Sequence, residues 1–255
     1  MFKTLSMSIL DTGKSSASPI DFATSYKSLL PATLPDTIFL IVVESQKFVE
    51  FARLCNQEIP NTSTPKLLQY LFPAYFCQQA ANYCDQGFLV KEILQCSLNN
   101  YLDFQSDHVT VSDVHYFAQW QLALVMEQLQ LPWQQVEEAL IKAGQYNQVR
   151  GEAYKYIVQH HKERGDLGIA YMYSTIAKEQ FYGKYSPATM KWFADPSYYN
   201  WKTLNYHFSI CAKLGNNQEA AETFNELWIY SQRHPEEFSE EQLQNIYKNQ
   251  KAFQQ

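Results

Sequence analysis

Three observations predict an all-α fold. Apolar residues recur at three- and four-residue spacing, the mark of one face of a helix. The breaks between such runs are short Gly, Asn and Pro signals. No Val/Ile-rich alternation recurs that could pair as a sheet. Residues 214–230, LGNNQEAAETFNELWIY, are the clearest stretch. Gly215-Asn216-Asn217 is a break, after which Ala220, Ala221, Phe224, Leu227 and Trp228 share a face. Before it, Trp201, Leu204, Phe208 and Cys211 form a stripe that ends at the same break. Two amphipathic helices joined by a tight Gly-Asn turn make an αα-hairpin.

The other elements follow in order. Residues 1–35 are rich in Ser, Thr and Pro and are expected to form an irregular N-terminal arm. A first helix is expected over 36–56. Its β-branched start, IFLIVV at 38–43, has strand propensity, but Val42, Val43, Phe48, Phe51, Ala52 and Leu54 suit a buried helix. Thr64-Pro65 supplies a capping hydroxyl and then proline at the first helical position. Pro73 should kink or split the helix that follows, and Gly87 should end it. A further helix is expected to about residue 103. Thr110-Val111-Ser112-Asp113 resembles a capping box with Asp in place of the usual Glu. Its helix carries Phe117, Leu122 and Val125. Pro132 opens the next helix, which Gly144 stops. Helices on either side of Gly165-Asp166 bury Ile157 and Val158, then Ala170, Ala177 and Phe181. Ser186-Pro187 is expected to open a short helix. Ser239 to Gln242 is a capping box for a terminal helix. About ten antiparallel helices result, in an N-terminal region over 36–145 and a hairpin region over 146–255 continuous with it.

Charged residues make up 18% of the chain, below the usual quarter or so. Aromatics make up 15%, with 18 Tyr and 16 Phe. A surplus of tyrosine suits a contact surface. The net charge of −6 and the lack of a basic run exclude a nucleic-acid footprint. Cys55, Cys77, Cys84, Cys96 and Cys211 are an odd, scattered set, expected as free thiols in a reducing compartment. The apolar run at 38–43 is too short to span a bilayer, and the N-terminal apolar stretch is too short and serine-interrupted for a secretory leader. A cytoplasmic location is expected.

The two hairpin turns superpose, with Gly165 on Gly215, Asp166 on Asn216, Ala170 on Ala220 and Ala177 on Leu227. At these positions the chain resembles the tetratricopeptide repeat family. There, helix A closes at a Gly-Asp/Asn turn, a small Ala five residues on lets helix B pack close, and an aromatic four further on fills the groove. Gly215, Ala220 and Phe224 match all three. Gly165 and Ala170 match two, with Ser174 in the aromatic's place. The turns at Gly165 and Gly215 lie 50 residues apart, against a family period of about 34; the excess is an insertion over 182–200. Val158 and Phe208 stand where the family has a small residue in helix A, and the closing proline falls late, at Pro235. A weaker third copy would end at Leu131, with Val136 for the Ala. The resemblance implies stacked antiparallel hairpins in an irregular, tetratricopeptide-like α-solenoid. A Sel1-like array or a plain bundle are the alternatives.

Nucleotide-loop and hydrolase motifs are missing from the sequence. His160 and His161, adjacent on a helix, diverge by about 100° and cannot readily share a metal. His115 and His207 are read as structural, Glu137-Glu138 as a solvated face, and Asp11-Thr12-Gly13 as lacking the strands an aspartic protease needs. Glu219, Glu222 and Glu226 form an acidic ridge, read as solvated surface ahead of a dock for a basic partner. No catalytic residue, metal or cofactor is expected. The expected function is a non-catalytic protein–protein interaction module, of adaptor or inhibitor type. It would bind its partner on a concave, Tyr-rich surface made of Tyr154, His161, Tyr198, Trp201, Tyr206 and Trp228. The alternatives are a ligand-sensing regulator with an aromatic pocket, and an enzyme using residues such as His161, Glu137 or Tyr171.

Overall fold

The computed structural model describes residues 18–58, 67–85, 87–105 and 112–253. Among these the regular elements are all helical, and none of the helices is long and apolar enough to cross a membrane. The chain divides into two compact units, Met1–Asn100 and Tyr101–Gln255.

The first unit holds α1 (Pro19–Ser25), α2 (Asp36–Glu44), α3 (Gln46–Glu58), α4 (Phe72–Ala81) and most of α5 (Gly87–Gln105). The expected irregular arm therefore contains a helix. Ser18 caps it by accepting from the Asp21 N–H, Pro19 lies in its first turn, and Phe22 and Ala23 are buried. The helix expected over 36–56 is two helices. Ser45 leaves helical geometry (ψ 138°). Its hydroxyl donates to the Val42 carbonyl at 2.7 Å and accepts from the Phe48 N–H at 3.3 Å. One serine thus closes α2 and caps α3. The β-branched run is helical because Phe39, Val42 and Val43 are buried while Leu40 and Ile41 face outward. Packing overrides local propensity there. Every residue of α4 is buried. Phe51 stacks on Tyr75 at 4.4 Å, and Phe48 meets Phe76 edge-on at 5.2 Å. At Pro73 the helix changes hydrogen-bond pattern rather than breaking: Leu67–Leu71 is a π-helical turn, Leu71 stays helical (φ −68°, ψ −37°), and α4 continues with Pro73 in its first turn. Thr64-Pro65 and Thr110-Val111 lie outside the described residues. All five cysteines are free thiols.

The second unit contains α6 (Asp113–Gln128), α7 (Trp133–Tyr146), α8 (Glu152–Arg164), α9 (Leu167–Phe181), α10 (Trp201–Leu214), α11 (Asn217–Arg233) and α12 (Glu240–Phe253). α6 pairs with α7, α8 with α9 and α10 with α11. α7 packs on α8, α9 on α10, and α12 lies against α11. Ser112 is the cap of α6, accepting from the His115 N–H. The capping box of α12 forms as read: Gln242 Oε1 accepts from the Ser239 N–H at 2.8 Å, and Ser239 Oγ accepts from the Gln242 N–H at 3.3 Å.

The first helices of the three hairpins close in one geometry, although the turn after Gln130 is one residue longer, with Pro132 rather than its predecessor capping α7. Gly165, Gly215 and Gln130 each have positive φ, at 82°, 78° and 58°. Each donates its N–H three residues back, and the next residue donates five back. This is the Schellman closure. The third turn is therefore centred on Gln130 rather than Leu131. A β-carbon at Gly215 would meet nothing within 4 Å, so Gly215→Ala costs only the left-handed strain. Chemical denaturation should show a loss of about 1 kcal/mol.

The insertion carries no helix at Ser186-Pro187. It runs through turns to a 3-10 segment, Pro196–Tyr199. It is held by a buried ionic hub. Arg150, 0% exposed, donates Nε–H to Glu152 at 2.8 Å, Nη1–H to Asp113 at 2.5 Å and Nη2–H to the Trp192 carbonyl at 3.0 Å. Glu152, 1% exposed, also accepts from the Tyr199 hydroxyl at 2.8 Å and the Asp195 N–H at 3.2 Å. Asp113 accepts the N–H groups of Lys191 and Trp192. The hub ties the start of α6 and the start of α8 to the insertion.

Candidate functional site

The first helices of the three hairpins, α6, α8 and α10, carry half-buried Trp120, Tyr156 and Tyr206. Trp120 and Tyr156 meet edge-on at 6.2 Å. Burial pushes the Tyr206 phenol up, with Asp195, Glu163 and Tyr156 adding to the push. Polar groups bridge α8 to α10 beside these rings. Gln159 Nε2–H donates to Tyr206 Oη at 2.6 Å, Lys162 donates to Ser209 Oγ at 2.7 Å, and the Lys162 ammonium lies 5.5 Å from the Tyr206 ring centre. Burial, and then Lys213, pull the Lys162 amine below its ordinary value. The strip offers half-buried rings and one cation over an aromatic face, although the Trp120 indole nitrogen is itself buried.

The structure separates the six residues expected on this surface. Tyr206 is on it. Tyr198 and Trp201, 1% and 8% exposed, are core. Tyr198 packs with Phe181 and Met190, and Trp201 lies 4.8 Å from Phe238. Both are corrected to packing residues, because the insertion and the segment before α12 cover them. Tyr154 turns toward Tyr173 and Phe181, at 6.1 and 5.3 Å. Trp228 meets Tyr247 of α12 at 5.1 Å. His161, 6% exposed, is clamped between Glu137 at 3.3 Å and Asp166 at 3.5 Å. The Tyr173 phenol is pushed up to about 12 by burial and by Glu137. His161 and Glu137 therefore do meet, whereas Tyr171 lies elsewhere. The acidic ridge is partly consumed within the fold: Glu219 accepts from Tyr171 and Glu226 from Lys178, at 2.7 and 2.8 Å. Trp120 and Tyr156 were missed because periodicity marks a helix face without saying which neighbours leave it open.

A second constellation joins α9, α10 and α11. His207 Nδ1 is 2.9 Å from Ser174 Oγ, and Nε2 is 3.0 Å from Glu219 Oε1 and 3.5 Å from Cys211 Sγ. Tyr171 donates to the other Glu219 oxygen at 2.7 Å, and its ring stacks on His207 at 5.7 Å. Burial pulls His207 below its ordinary value, against the pull of Glu219. Burial and Glu219 push the Cys211 thiol up to about 11. It holds its proton near neutrality, so it is no activated nucleophile. Burial alone would raise the Glu219 carboxyl, but hydrogen bonds from Tyr171 and His207 more than offset this and hold it below the usual value. Reading His207 as merely structural overlooked Cys211, which follows it by one turn on the same helix face. That pair was legible; Glu219 and Ser174 were not.

The chain matches no family model, no curated protein and no solved structure.

Proposed function

We propose that the protein is a non-catalytic interaction module of stacked, tetratricopeptide-like hairpins. A segment of a partner protein lies along Trp120, Tyr156 and Tyr206. The observation that carries this reading is the aromatic strip itself, which has one ring on the first helix of each of three consecutive hairpins. Rings of this kind give large contact area at low entropic cost, and interfaces are enriched in them. Lys162 and Gln159, each with one N–H engaged, on Ser209 and Tyr206 respectively, have further N–H groups to hold a peptide's carbonyls or carboxylates. Five free thiols accord with a reducing compartment such as the cytoplasm.

The test is quantitative recovery of the partner on immobilised full-length protein, identified by mass spectrometry. Tyr156→Ala and Tyr206→Ala should each cut recovery on the order of tenfold. Tyr247→Ala on α12, 48% exposed, should leave it unchanged. Equal recovery on all three variants, with melting temperatures preserved, refutes the strip as the contact surface.

A further inference from the structure

We propose that His207, Cys211 and Glu219 form a zinc site with three protein ligands and an open fourth position. Their donor atoms lie within 4.8 Å of one another. At ordinary zinc bond lengths, a tetrahedral ion sets nitrogen and oxygen ligands about 3.3 Å apart, and sulfur and nitrogen about 3.6 Å apart. Here the first separation is 3.0 Å and the second 3.5 Å. An ion can therefore be seated with side-chain adjustments of a few tenths of an ångström.

The atoms around the trio are those a ligand set needs. Ser174 donates its proton to the Tyr171 carbonyl at 2.9 Å. In the metal-free protein His207 Nε2–H donates to Glu219 Oε1 at 3.0 Å. A metal takes the place of that proton between the same two atoms, and Ser174 Oγ, 2.9 Å from Nδ1, then accepts from Nδ1–H of the metal-bound ring. Tyr171 holds the second carboxylate oxygen and leaves Oε1 for the metal. Such outer hydrogen bonds orient metal-binding histidines and carboxylates. Thiolate, imidazole and carboxylate together favour zinc over the hard cations. On binding, the Cys211 thiol gives its proton to water and its sulfur takes the metal, while the ring proton of His207 passes through water from Nε2 to Nδ1, so one proton is released in all. Lys178, the nearby cation, has its ammonium on Thr223 and Glu226, at 3.1 and 2.8 Å. The Glu219 side chain is 34% exposed, so the site is reachable from solvent, whereas His207 is 1% exposed. The other such grouping among the described residues, His234 with Glu236 and Glu237, is mostly exposed. The site is independent of the aromatic strip, and either can fail without the other.

The test uses the full chain, stripped with a chelator and titrated with zinc against a chromophoric competitor. Cobalt is then substituted as a spectroscopic probe. Wild type should take up about one zinc, and its cobalt form should show the thiolate charge-transfer band and the visible bands of a tetrahedral ion. Cys211→Ser should abolish the charge-transfer band, and His207→Gln should abolish stoichiometric binding. Glu219→Gln and Tyr171→Phe, at the accessible edge of the site, should fold normally and weaken zinc by on the order of tenfold or more. Absence of stoichiometric zinc in wild type overturns the proposal. So does undiminished affinity in Glu219→Gln, or a thiolate band that survives Cys211→Ser.

Discussion

Arg150→Ala should destabilise the protein by about 3–5 kcal/mol, the cost of leaving a buried carboxylate without its cation. The thermal midpoint should fall by on the order of 10 °C. The size follows from position rather than from charge as such. The guanidinium is fully buried and bonds Glu152, Asp113 and the Trp192 carbonyl. It also lies 4.6 Å from the Tyr116 ring centre. Removing it strands Glu152 at 1% exposure. The insertion should loosen first, since Trp192 and the N–H groups that bind Asp113 belong to it. Amide exchange should accordingly rise at residues 191–195 before it rises in α11. A double variant, Arg150→Met with Glu152→Gln, should recover part of the loss because the more deeply buried carboxylate is then neutral, while Asp113 keeps the N–H groups of Lys191 and Trp192. A single-variant loss under about 1 kcal/mol would show that water reaches the hub.

Phe224→Ala should cost about 3–5 kcal/mol by equilibrium denaturation, the range for emptying a buried aromatic site. Phe224 is 2% exposed and sits 5.0 Å from Phe208, within a core built by α10, α11, Phe238 and Ile246. The matched position of the preceding hairpin gives the contrast. Ser174 is equally buried, yet its hydroxyl faces His207. Ser174→Ala should lose only about 1 kcal/mol, the worth of a hydrogen bond. Comparable losses at the two positions would mean that the hairpins do not share a packing scheme.

That contrast shows where sequence reasoning stopped. Ser174 is the departure from the family pattern, and it falls on the polar constellation, where a local rule gives way to a specific contact. The turn at Gln130 was placed one residue late because only its φ identifies it, and glutamine is no signal for a left-handed residue. Ser45 and Ser18 were readable caps, passed over because apolar periodicity ran through the first and a Ser/Thr-rich context surrounded the second. The surface was the least legible part. Of six aromatic and histidine positions expected to bind a partner, Tyr206 lies on the strip, while Tyr198 and Trp201 are core.

By itself the sequence determined the helical class, the limits and pairing of the helices across Gly165 and Gly215, and the capping box of the last helix. Each of these rests on interactions within a few residues of the chain, so local spacing records them. Only the tertiary structure decided that Arg150 would be sealed beside Asp113 and Glu152, which rings would stay open, and that Ser174, His207, Cys211 and Glu219 would meet. Those outcomes depend on how three separate helices rotate against one another. A helix fixes which of its residues share a face, but the neighbour that packs against it decides whether that face is core, surface or site.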